Sequence, residues 1–191
     1  MINQIDIPKS KQTEKLVFKQ WLLERIAEYF VYGMLVIAFP FISFMEFNSD
    51  LTKNEPIGMS LILLILSLTF SFLLIYSIMN LYTLKRIKGL SRGQNTSLIK
   101  KIAKNNNWNI YSSNQQITIL NLTWKESSGF DWGKQLTIIY DGTDVLLNCI
   151  SFGLNSSPSP FHWFENKRKI NNLKAEFENE TKNTLQRRTL I

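Results

Sequence analysis

The only histidine of the chain, His162, stands three residues before Glu165 and five before Lys167 in the stretch SPSPFHWFENKRK, residues 157–169. An imidazole, a carboxylate and an ammonium this close could act as general base, acid and electrostatic stabiliser, provided a partner and a pocket position the histidine. The spacing argues against that use. On a helix, 162, 165 and 166 share a side while Trp163 takes the packing position, which puts His162 at the rim. Glu165-Asn166-Lys167 also matches the E-x-K half of metal-dependent nuclease sites. That motif belongs on a central strand, with an acidic residue one hairpin earlier, and here it falls in a helix. There is no second histidine for a zinc site. No serine or cysteine nucleophile lies in a recognisable turn, and Gly129, Gly133, Gly142 and Gly153 form no phosphate loop. The one cysteine, Cys149, falls in an apolar strand pattern and reads as a buried, inert thiol. The sequence predicts a non-enzymatic protein that needs neither metal nor cofactor.

Surplus aromatic residues point to binding instead. Phe161 and Phe164 fall off the Trp163 stripe, and Phe130 and Trp132 sit in the loop SSGFDWGK. They are expected either to close over the sheet edge or, together with His162, to form a contact surface for a protein partner, a second copy of the chain, or the membrane interface.

Charge gives a second set of candidates. Residues 85–104 carry seven bases and no acid, which equals the whole net charge of +7. A nucleic-acid binder would spread its bases over a face of the folded domain. Here they follow directly on an apolar run, so Lys85, Arg86, Lys88 and Arg92 are expected to meet anionic lipid headgroups, and no nucleic-acid partner is expected.

The elements that must position these residues begin with two uncharged blocks, 29–45 and 57–84. About 17 to 25 apolar residues cross a hydrocarbon core, so the sequence predicts a two-helix transmembrane hairpin, 29–47 and 57–84, with an external loop at 48–56. Residues 46–55 hold three acids and one base, whereas bases gather before and after the hairpin. The expected location is the cell membrane, with both termini cytoplasmic. Ser60, Ser67 and Ser71 share a helix face, with Gly33 and Ala38 as expected counterparts across the hairpin, and Pro40 is expected to kink the first span. Residues 1–28 read as an amphipathic cytoplasmic segment, its Leu16, Trp21, Ile26 and Phe30 lying along an interfacial helix that runs into the span.

After the basic segment and a helix over about 95–104, strands are expected at 108–111, 116–124, 135–140 and 145–152, the last two joined at Asp141-Gly142. Ser159-Pro160 starts a helix whose stripe is Trp163, Ile170, Leu173 and Phe177, ending near Asn183. The fold class is thus a membrane hairpin followed by a small α+β domain, 105–183. Its antiparallel meander of three or four strands is expected to have one polar face, with the C-terminal helix covering the other. The expected function is a membrane-anchored interaction or regulatory module. The alternatives are a small oligomeric pore-former and, more distantly, a membrane-bound hydrolase.

Overall fold

The structure, a computed structural model, describes residues 5–19, 22–122, 133–153 and 157–189, of which 22–29 and 187–189 are described as backbone alone. The chain forms two compact units, one made of Lys19–Asn80 and the other of Met1–Phe18 with Leu81–Ile191.

The first unit is a pair of packed helices, α2 (Leu22–Lys53) and α3 (Gly58–Asn80). Each contains a stretch long and apolar enough to cross a membrane. Helix α2 takes up residues 48–53, expected to be loop, because nothing in SDLTK breaks a helix. Asn54 stops it in the left-handed conformation (φ 56°), the Glu55 N–H returns to the Asp50 carbonyl at 3.0 Å, and Pro56 blocks continuation. The buried and half-buried positions of α3 are Ser60, Leu64, Ser67, Ser71, Leu74, Ser77 and Ile78, while those of α2 include Tyr32, Val36, Pro40, Ser43 and Phe47. The serine face expected on α3 is present, but its expected counterparts are not. Ala38 is exposed, and a Cβ on Gly33 would meet nothing within 4 Å.

The role of Ser71 goes beyond small size. Pro40 has no N–H to give the carbonyl four residues earlier, that of Val36, yet α2 remains helical across it. The Ser71 hydroxyl donates to that carbonyl from α3 at 2.9 Å. A backbone acceptor stranded by proline is recaptured by the neighbouring helix. Ser60 and Ser67 instead donate to carbonyls three residues earlier, that of Ile57 just before α3 at 3.2 Å and that of Leu64 at 2.9 Å.

The second unit is built on one antiparallel sheet, β1 (Lys85–Lys88), β2 (Asn109–Ser113), β3 (Ile117–Asn121), β4 (Lys134–Asp141) and β5 (Asp144–Ser151), in the spatial order β1-β5-β4-β3-β2. The four expected strands are present. The fifth, β1, is the start of the basic segment, and it pairs Lys85–Lys88 against Leu147–Asp144. Hairpin β4–β5 turns at Gly142, where φ is +63° as the first central position of a tight hairpin requires. Helix α4 (Arg92–Asn105) starts earlier than expected. Its cap is Ser91, whose N–H is met by Gln94 at 3.3 Å, and Asn95 is spent on staples to Leu90 and Thr143. Helix α5 (Trp163–Thr189), led by a 3-10 turn at Pro160–His162, runs past Asn183.

Both faces of the sheet are covered. On one, α4 and α5 bury Ile99, Ile102, Leu136, Ile138, Leu147, Leu173 and Phe177 in the main core. The other face was expected to be polar, and it is not. Leu16, Leu84, Ile117, Ile119, Ile139, Leu146 and Ile150 form a second core there, flanked by Ile5, Ile7 and Phe18. Strands β4 and β5 carry apolar residues at odd and even positions alike, and such strands need cover on both sides.

That cover comes from the N-terminal segment, which corrects the expected interfacial helix. Helix α1 (Ile7–Thr13) is capped by Asp6, which accepts from the Lys9 N–H at 3.1 Å. Glu14 then turns left-handed (φ 51°) and Lys15 bridges Thr83. The Leu16 N–H donates to Tyr82 and the Leu84 N–H to Glu14, both at 2.8 Å. Leu16 is extended and buried, not helical. Trp21 lies outside the described residues. The chain therefore leaves the domain beside Phe18 and rejoins it beside Tyr82, whose rings stand edge to face at 5.5 Å.

The Ser71 bond gives a test. Ser71→Ala should cost about 1 kcal/mol of helix-pair stability in micelles. In a Pro40→Ala background, where residue 40 supplies the missing N–H, it should cost much less. Equal losses in both backgrounds would show that the hydroxyl does not serve the Val36 carbonyl.

Candidate functional site

Strand alternation sends the basic residues of β1 to opposite faces. Lys85 reaches the α5 side and donates to Asn171 Oδ1 at 2.7 Å. Arg86 reaches the other side, where its guanidinium meets three carboxylates: Glu14 at 2.8 Å, Asp141 at 2.9 Å and Asp144 at 3.1 Å. Lys11 of α1 adds a further contact to Asp141 at 3.5 Å. Its hydrogen bonds to Glu14 first, then to Asp141 and Asp144, push the Arg86 guanidinium above its usual range. Arg86 in turn holds the Asp141 carboxyl below the ordinary carboxylate value. Among the four cations expected at lipid headgroups, Arg86 is thus occupied within the fold. It ties α1, β1 and the β4–β5 turn into one cluster. Lys88 is exposed at the end of β1, and Arg92 opens α4.

A second polar cluster lies on the α5 side, where β4 begins and β5 ends. Lys134 faces Ser151 across the ladder, and its side chain is only 2% exposed. Its ammonium pairs with Glu165 at 2.8 Å. A buried lysine needs such a partner, since desolvation of an unpaired charge is costly. Glu165 also lies 3.8 Å from His162 Nδ1. Beside them the buried Asn166 accepts from Ser151 at 2.8 Å and from the Cys149 thiol at 3.6 Å, while its Nδ2 has no partner among the described residues. The helix stripe therefore includes Asn166 between Trp163 and Ile170, and Trp163 itself is only half-buried.

The structure thus brings His162 and Glu165 together and adds Lys134. Lys167, drawn with them from sequence, is exposed. The nearby Lys169 stacks over the Trp108 ring at 5.3 Å. No group of three or more metal-ligating side chains occurs among the described residues. What the cluster can do chemically, as arranged, is hold one charge pair beneath the start of α5 and fix where that helix begins. Directly outside it, Phe161 is 55% and Phe164 73% exposed, the latter against the Trp163 ring at 4.5 Å. Phe130 and Trp132 lie outside the described residues.

Sequence reading missed Lys134, Asn166 and Asn148. The last is buried on β5, and its amide donates to the carbonyls of Leu81 at 3.1 Å and Thr83 at 2.9 Å. A signal was present for Asn148, an isolated polar residue in an apolar strand, and for Asn166, a polar residue on an apolar helix stripe, but not for Lys134, which opens its strand beside Gln135. Comparison with protein-family models, curated proteins and solved structures gives no match.

The Arg86 cluster predicts an acid dependence. Because the folded state depresses Asp141, its contribution is complete above the ordinary carboxyl value of 3.8 and is lost as pH falls through the lower folded value. Arg86→Met should cost roughly 1–2 kcal/mol at neutral pH, a figure already reduced for the partial exposure of the groups. It should also flatten the fall in denaturant stability below about pH 4. An unchanged acid profile in Arg86→Met would contradict this role.

Proposed function

We propose that the chain is a membrane-anchored interaction module. In this reading α2 and α3 cross the cell membrane as a hairpin, both termini and the sheet domain lie in the cytoplasm, and the domain docks a protein partner or a second copy of itself at the bilayer surface. The observation that carries the reading is the pairing of Leu16 with Tyr82 at the base of the hairpin. Within the sheet domain the residues before and after the helix pair are hydrogen-bonded neighbours, which supports a chain that leaves and re-enters the same domain, as a two-pass anchor would. The apolar surface of the helices supports it: Phe72 (69%), Met59 (71%) and Ile37 (66%) are among the large side chains left exposed, a liability in water and no cost in lipid. The acid-rich link at 46–55 and the bases on either side of the hairpin support a cytoplasmic domain.

Docking is supported by the exposed Phe161 and Phe164, set beside His162 on a helix start that Lys134 and Glu165 hold in place. No observation favours the pore reading. A pore would draw on the serine face of α3, and there Ser71 donates to the Val36 carbonyl while Ser60 and Ser67 donate to the carbonyls of Ile57 and Leu64.

Two measurements test the proposal. Cysteines placed at Asn54 and at Lys182 should differ in labelling of intact cells by an impermeant maleimide, with Asn54 modified and Lys182 protected. Labelling of both, or of neither after controls for access, removes the two-pass topology. For docking, Phe161→Ser with Phe164→Ser should abolish crosslinks to a neighbouring protein in membranes while leaving the thermal midpoint unchanged. Crosslinks that persist in the double variant would remove this surface as the docking site.

A further inference from the structure

Helix α4 places Arg92, Thr96 and Lys100 at i, i+4 and i+8, along one edge of its buried stripe. That edge and the turn between β2 and β3 enclose an open groove of about 550 Å³. Its lining holds two cations and no acid. From the turn, Ser113, Asn114 and Gln115 face it. The Asn114 Oδ1 is spent on the N–H groups of Gln116 at 2.8 Å and Ile117 at 2.9 Å, so what Asn114 can offer a ligand is its NH2. Behind the wall, Ser113 joins Thr118 at 3.0 Å and Thr118 joins the buried Tyr140 hydroxyl at 2.9 Å. This chain fixes the hydroxyl side of the groove. Gly93 also lines it, its φ is ordinary, and a Cβ there would meet nothing within 4 Å. A ligand can therefore come close to the backbone at that point.

Within this setting the Arg92 Nε is buried and has no partner among the described residues. The buried Nε is itself closed to the groove, so an anion there would be taken by the terminal N–H groups of the guanidinium, and the acceptor they suit is a planar or tetrahedral oxyanion held by two N–H groups at once. Lys100 lies about 12 Å further along the helix axis, from the rise per residue, which provides a second anionic position in the same groove.

We infer that the groove binds a phosphate-bearing polyol, one phosphate on Arg92 and a second anionic group toward Lys100, with the amides of Asn114 and Gln115 on the hydroxyls between. A phosphorylated inositol has this chemistry, whether free in the cytoplasm or as the headgroup of a lipid. The site belongs to the sheet domain alone, so the inference does not depend on α2 and α3 crossing a membrane.

The test uses the full-length protein in neutral detergent micelles, titrated calorimetrically with inositol trisphosphate. Arg92→Ala should weaken binding by about tenfold or more. Gly93→Leu, which fills the groove and leaves every charge in place, should weaken it to a similar extent. Lys182→Ala, an exposed cation elsewhere on α5, should change it less than about twofold. Thermal midpoints near that of the unaltered protein keep these losses assigned to the groove. In a second arm, the protein in phosphatidylcholine nanodiscs with and without phosphatidylinositol 4,5-bisphosphate is followed by amide exchange at 92–96 and 113–115. Protection only in the bisphosphate discs assigns the lipid source, and binding in micelles assigns the free one. No binding in either arm, or equal losses in Arg92→Ala and Lys182→Ala, overturns the inference.

Discussion

The pairing of Glu14–Leu16 with Tyr82–Leu84 is the contact on which the rest of the structure depends. Two hydrogen bonds of 2.8 Å close it, one in each direction. It brings together residues that more than sixty positions separate, and everything between them is the helix pair. Closing so long a loop carries an entropic cost that grows only slowly with length, and the burial of Leu16 and Leu84 in the second core helps offset it. The same pairing lets the N-terminal segment lie on a sheet face that would otherwise expose Ile117, Ile139, Leu146 and Ile150 to water.

Two polar devices secure that pairing, and neither is a surface ornament. Asn148 projects from β5 and holds the Leu81 and Thr83 carbonyls, so the backbone leaving the hairpin has buried acceptors satisfied by the sheet. Arg86, one strand over, gathers Glu14, Asp141 and Asp144. Exposed single ion pairs are worth little, but a shared cation linking three elements restrains their relative positions. The basic segment after α3 is thus divided in role. Its first residues are a strand with structural partners, while Arg92 and Lys100 line a groove that holds no acid. Net charge alone could not make that division, because it does not register which cations the fold neutralises.

Much of this was legible in the sequence, and the failures have physical causes. The apolar blocks, the four strands from 108 onward and the hairpin at Gly142 follow from length, period and turn chemistry. The fifth strand was hidden because KRIK is short and basic, and only its register with Val145 and Leu147 makes it a strand. The second core was hidden because a run such as VLLNCIS, apolar at odd and even positions alike, does not say what covers each face, and the cover comes from residues at the far end of the chain. The amphipathic reading of 16–30 treated as one helix a stretch whose Leu16 is claimed by the sheet domain, a tertiary override of local period. In the candidate site, the rarity of His162 drew notice. Lys134, from a distant strand, supplies the charge that pairs with Glu165, and no local spacing could place it there.

The most direct test of the account is native-state hydrogen exchange of the Leu16 and Leu84 amides in the full-length protein. If their pairing organises the domain, both should exchange only with global opening, as slowly as Ile138 and Leu147 in the central strands. Exchange of Leu16 and Leu84 at the rate of a fraying terminus, with Ile138 and Leu147 still protected, would mean that the sheet stands without its N-terminal cover, and would contradict the account.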